Sequence, residues 1–541
     1  MASPENKQNH NLMTIVESAI DTLQEKGSTT GTIYAYQLAT DRKSNAEEQA
    51  HIITAMESED SYAVYPAPLI NSVSDESSEI AKPILPDSKQ GDVKHHKTSN
   101  CETMMHLIKG SMGTGILAIP EAFSNSGILV GSIGMLVIGL ICIHCMHILI
   151  DCSRTLSKKI GCESLSYSRV ALYAFKYGPG PLPKCDRIAG LYTAVEFSDW
   201  LNVNQSHFIN VFLLLSQFGI CCVYYLFVAT NIQKVVCSYY NVDSISIYGY
   251  LTIILPFMIL FNFIRSLRKL AIASTFANIL QSLGICIIFY HLFQDLPPTS
   301  SRPLTMSFST FPLYFGTVIF SFEAINIVLP LENEMKTPKE IEGWTGVLNT
   351  GMIIVLCICT AMGFFGFLKF GSSVKGSITL SLPIKPLYDV VRILFTVAIF
   401  FSYALQLYVP LQFIWPYIQK KGKLAKKVSP NQENLLEYVL RAILVVITFG
   451  LAAAIPKLNL FISLIGALAT SSLAIIIPPL LNIIIYWDSS MTSMSMKWWI
   501  IIIIKNLVIS LFGFIGFITG TYASIVTIRS AFQHPSNTTD C

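Results

Sequence analysis

The sequence predicts an all-α polytopic membrane protein, and three observations support this fold class. Only 13% of the 541 residues are charged and 52% are hydrophobic, whereas soluble proteins average about 25% charged residues. Eleven apolar stretches have the roughly 20 residues that a helix needs to cross a bilayer. The first and the sixth of these stretches are interrupted in their middle. We therefore predict eleven transmembrane helices in two sets of five, with broken helices 1 and 6 and one extra C-terminal helix.

The distribution of charge divides the chain into a polar tail and a hydrophobic domain. Residues 1–100 hold 8 Lys/Arg and 15 Asp/Glu, and residues 101–541 hold 29 and 19. The first hundred residues lack a long apolar run, so they cannot bury enough surface to offset their chain entropy. We expect a disordered cytosolic tail over 1–100, which is also a candidate to recruit signalling partners. The transmembrane domain is predicted at 101–530, and a short extracellular or lumenal tail at 531–541.

The predicted spans are the apolar runs that are long enough to cross the hydrocarbon core of a bilayer. Some exceed that length, and these can tilt or extend beyond the membrane. In chain order the spans are 103–125, 128–152, 205–236, 246–264, 268–293, 311–334, 343–367, 387–418, 435–454, 457–486 and 497–528.

The charges of the loops predict the orientation of the spans. The 153–204 and 419–434 loops hold seven and five Lys/Arg, whereas the 238–245 loop holds none. Because cytoplasmic loops carry the excess of Lys and Arg, the amino terminus is predicted to be cytosolic. An odd number of spans then places the carboxyl terminus outside the cytosol. Asn537, which begins a sequon, is therefore predicted to be glycosylated.

The first span is interrupted by a stretch with three glycines in six residues, each costing a helix roughly 1 kcal/mol relative to alanine. Within a bilayer, unwound backbone is tolerated only where protein buries it or a cavity receives it. Its free amides can then bind a small polar solute, and a carboxylate suits the positive end of the following half-helix. The predicted substrate-binding residues here are Gly110, Ser111, Gly113, Thr114 and Gly115.

The sixth span carries a carboxylic acid, Glu323, in the middle of an apolar run. An ionisable group at that depth is costly and indicates function. Interrupted helices in corresponding positions of two halves point to a transport site. We expect backbone carbonyls near Ser321, Phe322 and Ala324 to hold the ammonium group of a substrate. Phe322 is open to two interpretations, as a gate over the site or as a side chain that faces lipid or packs in the core.

The sequence gives no indication of metal, cofactor or enzymatic chemistry. Its 13 cysteines lack the spacing of metal ligands. It offers no paired carboxylates on facing spans and no nucleophile elbow, so no catalytic residue and no cofactor is expected. The basic residues are loop charges, which gives no reason to expect nucleic-acid binding.

Four strings carry a resemblance to a known family, and they are spread over nearly the whole hydrophobic region. They are His106–Leu117, Phe322–Met335, Gly363–Gly371 and Ile462–Leu468. Together they resemble the proton-coupled amino acid transporter family, within the amino acid/auxin permease superfamily. The resemblance implies eleven spans, a cytosolic amino terminus and a five-plus-five inverted repeat. It also implies transport of small neutral amino acids, commonly driven by protons, at the plasma membrane or the lysosomal membrane.

The proton has two candidate carriers. His106 matches the histidine that the family uses for proton coupling, and histidine titrates near neutral pH. Glu323 is the alternative carrier, or it neutralises the substrate ammonium. The sequence does not decide between these roles.

Two departures from the family pattern bear on specificity and on disulfide bonding. Ala324 and Asn326 stand where the family usually has glycines, which favours an altered substrate list. Cys237 is present, but residues 294–310 hold no cysteine to pair with it as the family implies.

The sequence therefore predicts a secondary active transporter for small neutral amino acids, coupled to protons through alternating access. One alternative is an uncoupled facilitative carrier of the same fold. Another is an amino acid-sensing receptor, which the polar tail makes worth considering.

Overall fold

The structure is a computed structural model that describes residues 97–533 apart from 163, 178–192, 241–244, 266, 422–429, 456 and 488–495. These residues are helical almost throughout. No β-strand occurs among them, and the backbone of Thr98 forms an isolated bridge with Met335. The all-α prediction is therefore confirmed. Nearly all of the predicted tail and the predicted glycosylation site Asn537 lie outside the described residues.

The helices follow the apolar runs of the sequence closely. Their bounds are α1 Asn100–Ser111, α2 Thr114–Ser126, α3 Ile128–Ile160, α4 Tyr167–Tyr177, α5 Thr193–Tyr239, α6 Ile247–Asn262, α7 Leu267–Leu292, α8 Phe311–Phe320, α9 Ile325–Glu334, α10 Val347–Phe370, α11 Ile378–Ser381, α12 Pro386–Lys421, α13 Pro430–Ala454, α14 Leu458–Ile465, α15 Ile477–Tyr486 and α16 Met496–Gln533.

Within the described part of the chain, nine helical segments are long and apolar enough to cross a membrane. This number counts α8 with α9 as one segment, and α14 with α15 as another. The helix α6 is apolar but shorter, with 16 residues, and the first predicted span is divided between α1 and α2. The polytopic membrane architecture is confirmed, while the count of eleven crossings stays a prediction.

Both predicted helix breaks are present. The first break consists of Met112 and Gly113, between the end of α1 and the start of α2. The second covers four residues, from Ser321 to Ala324, between α8 and α9. The inverted symmetry of the two halves stays a prediction.

The helices that surround the breaks pack in two groups. In the first group, α10 packs against α1, α2 and α3, α8 packs against α2, and α9 packs against α1 and α3. In the second group, α5 packs against α6, α12 and α13. The helix α14 touches both α8 and α5, and α7 packs against α12. The last helix, α16, is the least buried of the nine membrane-length segments.

The segment between α14 and α15 is wound as a π-helix over Gly466–Thr470 and Ser472–Ile476. Such wide turns often occur at functional sites. The Tyr167 hydroxyl of α4 donates a hydrogen bond to the Leu473 carbonyl oxygen at 2.7 Å, which holds this segment from outside. At Gly316, a Cβ atom would lie 2.3 Å from the Ser463 carbonyl oxygen. Only glycine therefore permits α8 to cross α14 this closely.

Candidate functional site

The break between α1 and α2 leaves a helix start without a side-chain cap. Gly113 is the N-cap residue of α2, and no side chain bonds to the first amides of that helix. The first four N–H groups of a helix have no partner within it, and the helix dipole adds a partial positive charge there. The start of α2 is therefore suited to receive an anionic group such as a carboxylate.

The break between α8 and α9 carries a buried carboxyl group. The Glu323 residue is 7% exposed, and its Oε2 atom is buried without a hydrogen-bond partner. No ion pair involves Glu323 in the part of the chain that the structure describes. An unpaired carboxylate at this depth is very costly. Glu323 is therefore the candidate at this break for binding a cation or a proton.

The two breaks meet. A Cβ atom at Gly113 would lie 3.6 Å from Glu323 Oε1 and 2.8 Å from the hydroxyl oxygen of Tyr224, on α5. A Cβ atom at Gly115 would lie 2.9 Å from the Ser321 Cα atom. The absence of side chains at these two glycines lets the backbones of the breaks approach each other. The start of α2, the Glu323 carboxyl group and the Tyr224 hydroxyl group therefore surround one small volume.

Further polar groups from neighbouring helices face the two breaks. Gln281 on α7 donates a hydrogen bond from Nε2 to the Met112 carbonyl oxygen at 3.0 Å. The Thr114 hydroxyl, at the start of α2, is buried without a partner. Asn326, in the first turn of α9, contacts Ser216 Oγ of α5 at 3.5 Å through Nδ2, and its Oδ1 atom is unpartnered. The region thus holds several hydrogen-bonding atoms that a polar solute can use.

At three of the predicted substrate residues, the position of the side chain points away from this volume. The Ser111 hydroxyl donates to the Leu107 carbonyl oxygen at 3.1 Å within α1. A Cβ atom at Gly110 would meet the Ile327 side chain of α9. The Phe322 ring is fully buried and packs against Gly139 of α3. At these positions only the backbone remains available to a substrate, and the Phe322 ring occupies the core.

His106 is not part of the cluster around the breaks. Its side chain is exposed on α1, whereas Glu323 is buried. Lys109, one turn further along α1, donates a hydrogen bond to the Ser274 hydroxyl of α7. The structure therefore separates the two proton-carrier candidates into one exposed group and one buried group at the breaks.

A second acid, partly buried, lies on the far half of the first broken helix. Glu121 on α2 accepts a hydrogen bond from Asn459 Nδ2 of α14 at 2.5 Å. This contact fastens α2 to the helix that follows α13 along the chain. The sequence alone gave no partner for Glu121, since Asn459 lies 338 positions away.

Charged residues fasten the ends of α3, α1 and α9 together. Arg154 on α3 donates to Glu332 Oε1 of α9 at 2.6 Å and also pairs with Glu342. The Thr98 amide, just before α1, donates to the Glu334 carbonyl oxygen at 2.8 Å. The Lys336 amide donates to the Thr98 carbonyl oxygen at 3.0 Å. We call these contacts the α3–α9 latch.

A separate charged cluster joins α6 with α13. Glu437 on α13 pairs with Arg265, which follows α6, and with Arg441 at 2.8 Å. Arg441 also donates to the Asn262 carbonyl oxygen at 3.0 Å. None of the ion pairs within the described residues connects this cluster to the α3–α9 latch. Each cluster therefore stabilises one of the two helix groups by itself.

Cys237, near the end of α5, is disulfide-bonded. Disulfides persist in oxidising environments such as the extracellular side or the lumen of secretory compartments. This end of α5 is the one that the loop charges place outside the cytosol.

Comparisons with known proteins agree with this architecture. The family described as transmembrane amino acid transporter protein matches residues 96–526. The proton-coupled amino acid transporter-like protein pathetic of Drosophila melanogaster is 36% identical over 82% of this chain and 88% of its own length. The probable amino acid transporter skat-1 of Caenorhabditis elegans is 25% identical over 84% of this chain and 94% of its own length. Both similarities cover more than four fifths of this chain.

Proposed function

Because the chain belongs to the transmembrane amino acid transporter family, we propose that it is a secondary active transporter that moves small neutral amino acids together with protons. The family consists of transporters, not of enzymes. One observation carries the finer proposal, namely the meeting of the two helix breaks at Gly113 beside the Glu323 carboxyl group and the Tyr224 hydroxyl group. Discontinuous helices are the usual site of solute binding in such folds.

The substrate carboxylate binds at the start of α2. The amides after Gly113 have no side-chain cap, and the dipole of α2 favours an anion there. The substrate ammonium binds at the second break, at the Ser321 and Phe322 carbonyl oxygens, because those of Glu323 and Ala324 already accept hydrogen bonds from the Asn326 and Ile327 amides. A zwitterion therefore matches both ends of the site, and its side chain lies toward Asn326 and Ser216.

Glu323 is the proposed proton carrier. It is buried at the breaks without an ion-pair partner among the described residues, whereas His106 is exposed. A neutral Glu323 leaves the site without net charge, which fits a net-neutral amino acid. The fly relative at 36% identity is named as proton-coupled amino acid transporter-like, which supports coupling here.

The division of the helices into two groups supports alternating access. The α3–α9 latch lies within one group, and the cluster around Glu437 lies within the other. Each group can move as a unit without breaking its own ion pairs. Relative rocking of the groups would expose the breaks first to one side of the membrane and then to the other.

The proposed orientation has the amino terminus in the cytosol and the carboxyl terminus outside it. The disulfide at Cys237 supports this orientation, because that end of α5 then faces an oxidising side. The plasma membrane and the lysosomal membrane both fit this topology.

The deciding experiment is radiolabelled uptake of an amino acid panel at two outer pH values, with substrate-evoked current recorded in parallel. The panel contains glycine, alanine, proline, and larger neutral and cationic amino acids. Coupled transport of a neutral substrate moves one positive charge per cycle, so an inward current at acidic outer pH is expected. Electrically silent uptake would instead identify an uncoupled carrier.

The Glu323→Gln variant tests the proposed carrier. Its uptake should lose its dependence on pH while the protein still reaches the membrane, because the amide cannot exchange a proton. Glu334→Gln is the matched control, since Glu334 is exposed at the end of α9, the helix that follows the break. Unchanged pH dependence in Glu323→Gln, combined with its loss in His106→Gln, would assign the proton to His106.

A further inference from the structure

A cavity of about 400 Å³ lies beside the middle of α3, away from the helix breaks. Its walls come from α3, from the loop before α10 and from the first turn of α10. None of its lining residues belongs to the cluster around Gly113 and Glu323. The cavity is therefore separate from the proposed transport site.

One wall of the cavity is fixed by hydrogen bonds and leaves one ring nitrogen unused. His147 Nε2 is bonded to Asn349 Oδ1 at 2.7 Å. Asn349 Nδ2 in turn donates to the Gly343 carbonyl oxygen at 2.7 Å. His144, one turn before His147, has a buried Nε2 atom with no hydrogen-bond partner. A buried polar atom without a partner calls for an explanation, and an acceptor group of a ligand provides one.

A lysine that forms no ion pair among the described residues lies near the cavity. Lys505 on α16 lies within electrostatic range of His144. Lys158 and Lys159 lie about three turns beyond His147, at the cationic end of α3, and do not line the cavity. Two acids lie near the cavity, and each has a partner: the Asp151 carboxylate accepts a hydrogen bond from the Tyr486 hydroxyl at 2.7 Å, and Glu342, next to the lining residue Gly343, pairs with Arg154. An anionic ligand is therefore favoured over a cationic one.

The approach to the cavity is apolar and faces the lipid. Leu136 and Leu140 stand one turn apart on α3 and are 44% and 57% exposed. Trp344, on the loop before α10, is 96% exposed. Tryptophan is enriched at the level of the lipid headgroups. The cavity thus opens at headgroup depth, with exposed hydrocarbon-facing surface beside it.

We infer that this cavity binds the headgroup of an anionic phospholipid from the leaflet at the cationic end of α3. A phosphate oxygen accepts a hydrogen bond from His144 Nε2, Lys505 attracts the negative charge, and the acyl chains lie over Leu136 and Leu140. Basic pockets between transmembrane helices at the cytoplasmic side are recognised as sites for such headgroups. A volume of 400 Å³ suits a headgroup, and the chains remain in the bilayer.

The test uses the purified full-length protein in a neutral detergent and measures lipid binding by native mass spectrometry. The probes are phosphatidylserine, phosphatidylcholine and free glycerol phosphate. We expect retention of phosphatidylserine over phosphatidylcholine, and no retention of glycerol phosphate at the same concentration. His144→Phe should weaken phosphatidylserine binding about tenfold, because one charge-assisted hydrogen bond is lost. His144→Gln, which keeps a donor at this position, should retain most of the binding.

Two matched variants separate this site from general attraction to lipid. Trp344→Ala should weaken the binding, whereas Trp498→Ala should not, although Trp498 is also exposed, at 63%. Lys158→Gln should leave the binding unchanged. Equal binding of phosphatidylcholine, equal retention of glycerol phosphate, or unchanged binding by His144→Phe would each overturn the assignment. Because no transport is measured, none of these results bears on the proposed transport function.

Discussion

Gln281 Nε2 of α7 donates a hydrogen bond to the Met112 carbonyl oxygen at 3.0 Å. Met112 lies in the break between α1 and α2, where the helical hydrogen bonds are interrupted. The side chain of a neighbouring helix thus replaces a backbone partner and holds the break in one geometry. Gln281 and Met112 are 169 positions apart in the sequence, so this contact depends on the tertiary fold alone.

We predict that Gln281→Leu lowers uptake about tenfold at substrate concentrations below saturation. The Met112 carbonyl oxygen would lose its donor, and an unsatisfied buried group costs roughly 1–3 kcal/mol. The measurement is initial uptake, normalised to the amount of protein in the membrane. Gln294→Leu is the control, because Gln294 is exposed just beyond the same helix. Equal uptake by the two variants would contradict a positioning role for Gln281.

We predict that Gly113→Ala abolishes substrate binding and that a second substitution partly restores it. An alanine Cβ atom would lie 2.8 Å from the Tyr224 hydroxyl oxygen, which is closer than van der Waals contact allows. Tyr224→Phe removes that oxygen. The nearest remaining atom, Glu323 Oε1, would then lie 3.6 Å from the alanine Cβ atom. A double-mutant cycle on substrate affinity should therefore give a favourable coupling between the two substitutions.

The control for the steric argument is Gly450→Ala on α13. No atom lies within 4 Å of a Cβ atom at Gly450, so this variant should bind substrate like the wild type. If Gly113→Ala and Gly450→Ala bound substrate with equal affinity, the two breaks would not enclose the substrate.

The helix breaks were predictable because their cause is local. Glycines around Gly113 weaken a helix wherever they stand, and Glu323 interrupts an apolar run that is long enough to span a bilayer. Tyr224, Gln281 and Asn459 were not predictable, since each is one polar residue within an apolar helix. Their roles depend on how each helix is rotated toward its neighbours, and hydrophobicity gives little information on that rotation when most faces are apolar.

The directions of individual side chains at the breaks were also not predictable from the sequence. Ser111 and Phe322 both lie at the breaks, as the sequence indicated, yet their side chains contact Leu107 and Gly139. Successive residues of a helix point about 100° apart, so neighbours in the sequence face different partners. A motif therefore identifies the backbone segment of a site more securely than its individual side chains.

We predict that Asn326→Gly shifts substrate preference toward larger neutral amino acids. Asn326 contacts Ser216 of α5 at 3.5 Å, and its removal would enlarge the region proposed for the substrate side chain. In a hydrophobic pocket, contact with one added methylene group improves the binding free energy by about 1–3 kcal/mol. The ratio of leucine to alanine uptake should therefore rise about tenfold. Asn333→Gly is the control, because Asn333 is exposed on the same helix.

We predict that Arg154→Gln loosens the α3–α9 latch. Glu332 is 5% exposed. In this variant its buried carboxylate would lack the hydrogen bond that Arg154 Nε donates at 2.6 Å. A hydrogen bond to a charged group contributes roughly 2 kcal/mol, which corresponds to about a 30-fold change in the opening equilibrium. Hydrogen exchange at the Thr98 and Lys336 amides, which bond across the latch, should accelerate by that factor.

The double variant Arg154→Gln with Glu332→Gln distinguishes the loss of the bond from the cost of an unpaired buried charge. Removing both partners leaves no uncompensated carboxylate, so exchange at Thr98 and Lys336 should be slower than in Arg154→Gln alone. Lys158→Gln, one turn further along α3, should leave exchange at wild-type rates, since its side chain is exposed. Wild-type exchange in Arg154→Gln would mean that the backbone bonds of Thr98 close this end of the helix group without the ion pair.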